Sequence, residues 1–147
     1  MTDSLVEVVR ARGHEHVSAT HANTFEVTTD DWLTPAGDCI LAVEADRAPR
    51  DFSPAFRDAC ATTDATITAT ISVEGPVATH TETVVGRGDP GLDLLDDRSM
   101  VARTSAYTDD ARTILVDADA AATDLDRDLV EALAGGAPVE LRLSVEP

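Results

Sequence analysis

The chain contains no lysine. All eleven of its bases are arginine, they face twenty-eight acids of which nineteen are aspartate, and the formal net charge is −17. A protein that holds nucleic acid through its phosphates needs a basic stripe, so this balance argues against a nucleic-acid partner. Cysteine is nearly absent as well. Cys39 and Cys60 are too few for a disulfide framework, and both are expected as inert, buried thiols. No stretch of about 18 apolar residues occurs, so no membrane span is expected. Met1 to Gly13 has no apolar core of the kind a secretory leader carries, so none is expected there. A soluble, cytoplasmic protein is the resulting expectation.

What the chain has is 147 residues, 43% of them hydrophobic. That is enough for one domain, 1–147, to bury roughly 70% of the surface its unfolded chain exposes. Acid runs from Asp3 to Glu146 rather than in one tail. Such a surface suits a halophilic cytoplasm, where counterions screen the repulsion between like charges. The alternative is an acidic face for a partner.

The residues also read as one unit written twice. In 66–74, Ile67, Ala69, Ile71 and Val73 alternate with hydroxyl residues. In 138–146, Val139, Leu141, Leu143 and Val145 keep the same phase at an offset of 72, and both stretches end Ser-Val-Glu. Period-two alternation predicts strands with one buried face. A helix is predicted before each. Ser53-Pro54 reads as N-cap and first helical residue, Asp126 caps the second helix, and Gly135-Gly136 stop it. Earlier strands are expected over Leu5–Ala11, Thr24–Thr29 and Ile40–Ala45, matched by His80–Val85, Ser99–Thr104 and Ile114–Ala118. Trp32 and Tyr107 hold equivalent places and are expected to plug the core at each turn; base-stacking platforms are the sharper alternative. The predicted fold is strand-rich α+β, with two pseudo-symmetric repeats (1–75 and 76–147, each about β-β-β-α-β) sharing one core. A barrel-like sheet would leave no exposed edge.

The pattern Arg12-Gly13-His14-x-x-Val17-x-Ala19-Thr20-His21-x-x-Thr24-Phe25-x-Val27-Thr28, continued by Leu33-Thr34-x-x-Gly37-Asp38-Cys39-Ile40, resembles the archaeal domain of unknown function 371 family. The likeness extends over essentially the whole chain, including Asp119-x-Ala121-x-x-Asp124-Leu125-Asp126-Arg127. It implies an archaeal protein, which suits the lysine-free acidic surface, and it implies no activity. Members often look like Gly-His-Pro where this chain has Gly88-Asp89-Pro90, so a role needing two symmetric histidines does not carry over.

Asymmetry between the copies marks candidate chemistry. Three of the four histidines, His14, His16 and His21, lie in the loop 13–24 and face Asp89, Gly91 and Asp96 in the other copy. Two readings arise. In one, Arg12, His14, His21, Thr24 and Asp38 bind a small anionic ligand or a protein partner, with arginine as the bidentate anchor. In the other, His14, His21, Asp89 and Asp96 converge on a divalent metal that activates water for hydrolysis. The bland alternatives are histidines spent on loop backbone and arginines spent on nearby acids. Glu26, on a partly buried strand, is a further acid–base candidate. A binding module presenting loop 13–24 comes first, a metal-assisted hydrolase second and an RNA-associated factor third. Whether the chain is an enzyme, and in what oligomeric state it works, is left open.

Overall fold

The computed structural model describes residues 5–146; Met1–Ser4 and Pro147, which the domain bounds include, lie outside them. The elements run β1 (Leu5–Arg12), β2 (Thr24–Thr28), β3 (Ile40–Ala42), a 3-10 turn (Pro49–Asp51), α1 (Pro54–Cys60) and β4 (Thr66–Glu74). They continue with β5 (Thr79–Arg87), β6 (Ser99–Arg103), β7 (Thr113–Leu115), a 3-10 turn (Ala122–Asp124), α2 (Arg127–Ala134) and β8 (Pro138–Glu146).

The strands form two four-stranded sheets, ordered β1-β8-β4-β5 and β3-β2-β6-β7. The first is antiparallel throughout, with β4 and β8 side by side at its centre and Thr70 opposite Arg142. In the second, β2 and β6 run antiparallel at the centre, with Glu26 opposite Val101, while β3 and β7 pair in parallel at the edges. The expected barrel does not close. β3 and β7 are only three residues long, and each sheet edge meets the other through one isolated bridge, Arg12 to Val43 and Arg87 to Val116. Each bridge exchanges two backbone hydrogen bonds of 2.8–3.0 Å.

The alternating residues set the core. Ile67, Ala69, Ile71 and Val73 on β4 and Val139, Leu141, Leu143 and Val145 on β8 are all buried. Phe25 and Val27 from β2, with Met100 and Ala102 from β6, join the same cluster. α1 packs on β1 and β8, and α2 on β4, β5 and β3. Their buried faces include Phe56 and Cys60 on α1 and Leu129 and Leu133 on α2. Each large apolar side chain so buried contributes about 1.5–3 kcal/mol.

Caps fix where the helices begin. Ser53 Oγ accepts from Phe56 N–H at 3.2 Å, and the Asp126 side chain accepts from Asp128 N–H at 3.3 Å. The capping residues are held in turn from the first sheet. Glu7 accepts from Ser53 N–H at 2.8 Å and Glu82 from Asp126 N–H at 3.0 Å.

Trp32 and Tyr107 are not core plugs. They are 55% and 49% exposed, because each follows its strand by four residues and lies on the outward face of the second sheet's turns. Cys60 is buried as expected, whereas Cys39 is only half-buried at the start of β3; both are free thiols. His80 on β5 is half-buried opposite Val73. Among the described residues no helix is long and apolar enough to cross a membrane.

Candidate functional site

The segment singled out by its histidines is tied down first by a glycine. After β1 the chain passes so close to the end of α2 that a Cβ on Gly13 would stand 1.9 Å from the Leu133 carbonyl oxygen. After β5 a Cβ on Gly88 would stand 2.3 Å from the Cys60 carbonyl oxygen, at the end of α1. Only glycine fits at either crossing. Gly13 N–H donates to Ala137 O and Gly88 N–H to Ala65 O. The flanking arginines serve the bridges between the sheets. Arg12 pairs with Glu44, and Arg87 with Asp117 and Asp89.

The imidazoles then do what aspartates do elsewhere. His14 Nδ1 accepts from His16 N–H at 3.0 Å, as Asp89 Oδ1 accepts from Gly91 N–H at 2.8 Å. His21 Nδ1 accepts from Asn23 N–H at 3.1 Å and Thr24 N–H at 3.2 Å, with the Thr24 hydroxyl 3.1 Å away. Asp96 Oδ2 accepts from Arg98 N–H at 3.1 Å and Ser99 N–H at 2.8 Å. Because Nδ1 accepts, the ring proton of His21 is assigned to Nε2.

The two loops lie against different segments. His21 O accepts from Thr123 N–H beside α2, whereas Asp96 O accepts from Arg50 N–H beside α1. Among the described residues no three His, Cys, Asp or Glu groups stand close enough to share a metal ion. Of the five residues expected to bind a ligand, His21, Thr24 and Asp38 gather at the start of β2, where Asp38 O accepts from the Thr20 and His21 N–H groups. Arg12 and His14 do not join them; they border a shallow hollow with Gly135 and Gly136 past the end of α2.

The cluster at the start of β2 adjoins a cleft of about 400 Å³ on the outward face of the second sheet. Its floor includes Thr28 and Ser99, 2% and 3% exposed, and Glu26, whose side chain is 14% exposed. Glu26 points outward because its neighbours Phe25 and Val27 take the core side of β2. Burial pushes the Glu26 carboxyl above the ordinary glutamate range, against the opposing pull of Arg112. The Cys39 thiol donates to Glu26 Oε1 at 3.7 Å, and burial together with the Glu26 charge pushes it up to about 11. At neutral pH that sulfur is a protonated thiol, not a nucleophile.

Three of the eleven arginines lie on this face. Arg103 is spent: its Nε donates to the Thr113 hydroxyl at 2.9 Å, and it pairs with Asp110. Burial works to raise Asp110, but the Thr113 hydroxyl, the Arg103 charge and the Arg112 N–H outweigh it and hold the carboxyl below its ordinary value. Arg98 uses only Nε, on both oxygens of Asp30 at 2.9 and 3.1 Å. Arg112 stands 3.8 Å from Glu26 and 3.7 Å from Asp110, and its guanidinium donates no hydrogen bond among the described residues. Arg98 and Arg112 both line the cleft, with Trp32 at its edge.

The aromatic rings differ in what covers them. The Arg103 guanidinium lies 4.8 Å from the centroid of Tyr107, a cation–π contact. Arg103 ends β6, and the residue that ends β2 is the short Thr28. Among the described residues no cation covers Trp32, and the cleft occupies that side of the sheet. Periodicity alone gave no sign of this vacancy. The readable signal was the exchange of a small residue for an arginine at the ends of two otherwise similar strands.

A strand-rich α+β protein with two open sheets, an acid-rich sequence and a polar cleft on the second sheet is the class these features define. Its sequence matches the model of a family described as a domain of unknown function, DUF371, over residues 9–146, and the chain belongs to that family. It is 36% identical over 138 residues to the uncharacterized protein MJ0206 of the archaeon Methanocaldococcus jannaschii, an alignment spanning 94% of this chain and 98% of that protein.

Proposed function

We propose that the protein is a non-catalytic binding module for a small anionic ligand, seated in the cleft between Trp32, Glu26, Arg98 and Arg112. The observation that carries this reading is unspent binding capacity in one place. Two guanidinium groups with free donors and one half-exposed tryptophan border a single cleft in a strongly acidic chain. Exposing the only tryptophan forgoes part of the roughly 1.5–3 kcal/mol that burying a large side chain contributes, which a bound ligand would recover. Neither cysteine offers an activated nucleophile, since burial pushes Cys39 up to about 11 and Cys60 up to about 12 and both are held as thiols. Loop 13–24 then acts as the support of the seat. His21 fixes the first residue of β2, and with it the outward register of Glu26.

The reading includes an origin by tandem duplication in a halophilic cytoplasm. Its support is register. Glu26 pairs Ile40 and Val27 pairs Ala42, while Val101 pairs Thr113 and Ala102 pairs Leu115, so the same slip recurs at corresponding residues. The four non-glycine residues with positive φ also fall in corresponding pairs, Ala19 with Leu94 and Glu44 with Asp117. On this reading the cleft is where one copy departed from the other.

Thermal shift in molar potassium chloride tests the binding reading, with inorganic phosphate, citrate and mononucleotides as probes. A ligand at 100 times its Kd raises stability by about 2.7 kcal/mol. The reading expects at least one anion to raise the midpoint in the native protein and not in Arg112→Gln. No shift with any probe, or equal shifts in both proteins, would reject it.

A further inference from the structure

Resting on that reading, we propose that the ligand is a nucleoside monophosphate, its base lying against Trp32 and its phosphate held by Arg98 and Arg112. Trp32 is the uncovered ring. The turn after β6 stacks the planar guanidinium of Arg103 on Tyr107. The turn after β2 offers Trp32, the largest π-face in the chain, to a space left by Thr28. What fits over such a face is a second planar group, and every nucleobase has one.

The floor beneath has the chemistry to read a base edge. Thr28 Oγ1 accepts from Asp30 N–H at 3.2 Å and keeps its own proton to donate, and Glu26 presents a carboxyl flanked by the Ser99 hydroxyl and the Cys39 thiol. A base carries several donors and acceptors along one edge, so it can use this mixed floor where a plain aliphatic acid cannot. The charged end falls to the arginines. Terminal nitrogens of Arg98 and the guanidinium of Arg112 supply fork-shaped donors that match phosphate oxygens. Size agrees too: about 400 Å³ suits one nucleotide and lies in the range of small-ligand clefts.

The neighbouring acids do not forbid an anion. Asp30 takes only Nε of Arg98 and leaves its terminal nitrogens to an anion, Asp110 is held by Arg103, and Asp96 spends one carboxylate oxygen on two backbone N–H groups. The wider negative field is screened within about 3 Å at molar salt.

The protein's only tryptophan makes the test direct. Its fluorescence is titrated in molar potassium chloride with adenosine and guanosine 5′-monophosphates, adenosine, ribose 5-phosphate and a 5′-phosphorylated trinucleotide RNA. Saturable quenching by at least one monophosphate is expected. Its nucleoside and ribose 5-phosphate should each bind at least about tenfold more weakly, the lower part of what a stacked base contributes. Arg112→Gln should weaken the monophosphate similarly. Trp32→Leu, followed by calorimetry, should lose the advantage of the monophosphate over ribose 5-phosphate while keeping native unfolding. Ribose 5-phosphate binding as tightly as the nucleotide overturns this inference and leaves the anion-binding module standing. No binding by any monophosphate overturns it too, and the thermal-shift panel then decides the broader reading. Tighter binding of the trinucleotide by tenfold or more overturns it in favour of an RNA terminus.

Discussion

Replacing His21 separates a turn-forming histidine from a reactive one. The Thr24 N–H points away from β6, because Thr29 N–H and Thr104 N–H fix the hydrogen-bonded phase of that pairing at the residues between. Its acceptor is His21 Nδ1, which also takes Asn23 N–H. Leucine at 21 leaves both donors without a protein partner, Thr24 N–H at a half-buried position and Asn23 N–H at an exposed one. Side-chain acceptors of this kind contribute about 0.5–2 kcal/mol when removed, and an orphaned buried donor costs about 1–3 kcal/mol. We expect His21→Leu to lose about 1–2 kcal/mol, a fall of roughly 2–8 °C in Tm for a chain of this size. His21→Asn restores an oxygen acceptor, the solution Asp96 uses in the other turn, and should stay within about 0.5 kcal/mol of the native protein. Denaturant melts in fixed molar salt read both variants. If leucine proves as stable as asparagine, the imidazole is not the acceptor on which the turn depends.

Gly88→Ala should cost more than about 3 kcal/mol or abolish folding, since the added methyl meets two backbone carbonyls, and circular-dichroism melts check it. Glu26→Gln should become progressively more stable than the native protein as pH rises above 4.5. The folded carboxyl has a raised pKa, so its contribution is full below the unfolded value of 4.5 and is lost as pH rises through the folded one. Urea melts across that range would show a flat difference if Glu26 titrated normally. The Cys60 thiol, pushed up to about 12, likewise contributes stability that is complete below about pH 9 and lost as pH rises toward 12. Cys60→Ala should flatten that alkaline slope, and an unchanged slope would locate the effect elsewhere. Removal of salt should lower the midpoint through self-repulsion of the −17 charge, and sodium and potassium chloride should restore it alike.

Elements with regular periodicity are legible in the sequence. The strands now seen as β4 and β8 follow from strict alternation, and α1 from Ser53-Pro54 at its start. The sheet closure was not legible. It depended on how far β3 and β7 continue past Ala42 and Leu115, and a short apolar run looks the same whether it pairs for three residues or six. The histidine loop was visible as an asymmetry, but asymmetry does not say what the side chain touches. His14 and His21 turned out to accept from their own turns, where Asp89 and Asp96 do the same. Glu26 was marked by its place on an apolar strand. Arg98, Arg112 and the open face of Trp32 were not, because their meeting depends on the lateral order of β3, β2, β6 and β7, which no local pattern encodes.

Nitrogen-15 NMR of the native protein, titrated with the anion that gives the largest thermal shift, tests the ligand seat most directly. The account predicts that the Trp32 indole N–H and the backbone amides of Glu26, Arg98, Ser99 and Arg112 move together and saturate with a single affinity. Perturbations concentrated instead at Arg12, His14 and Gly135, or scattered over the surface without saturation, would contradict it.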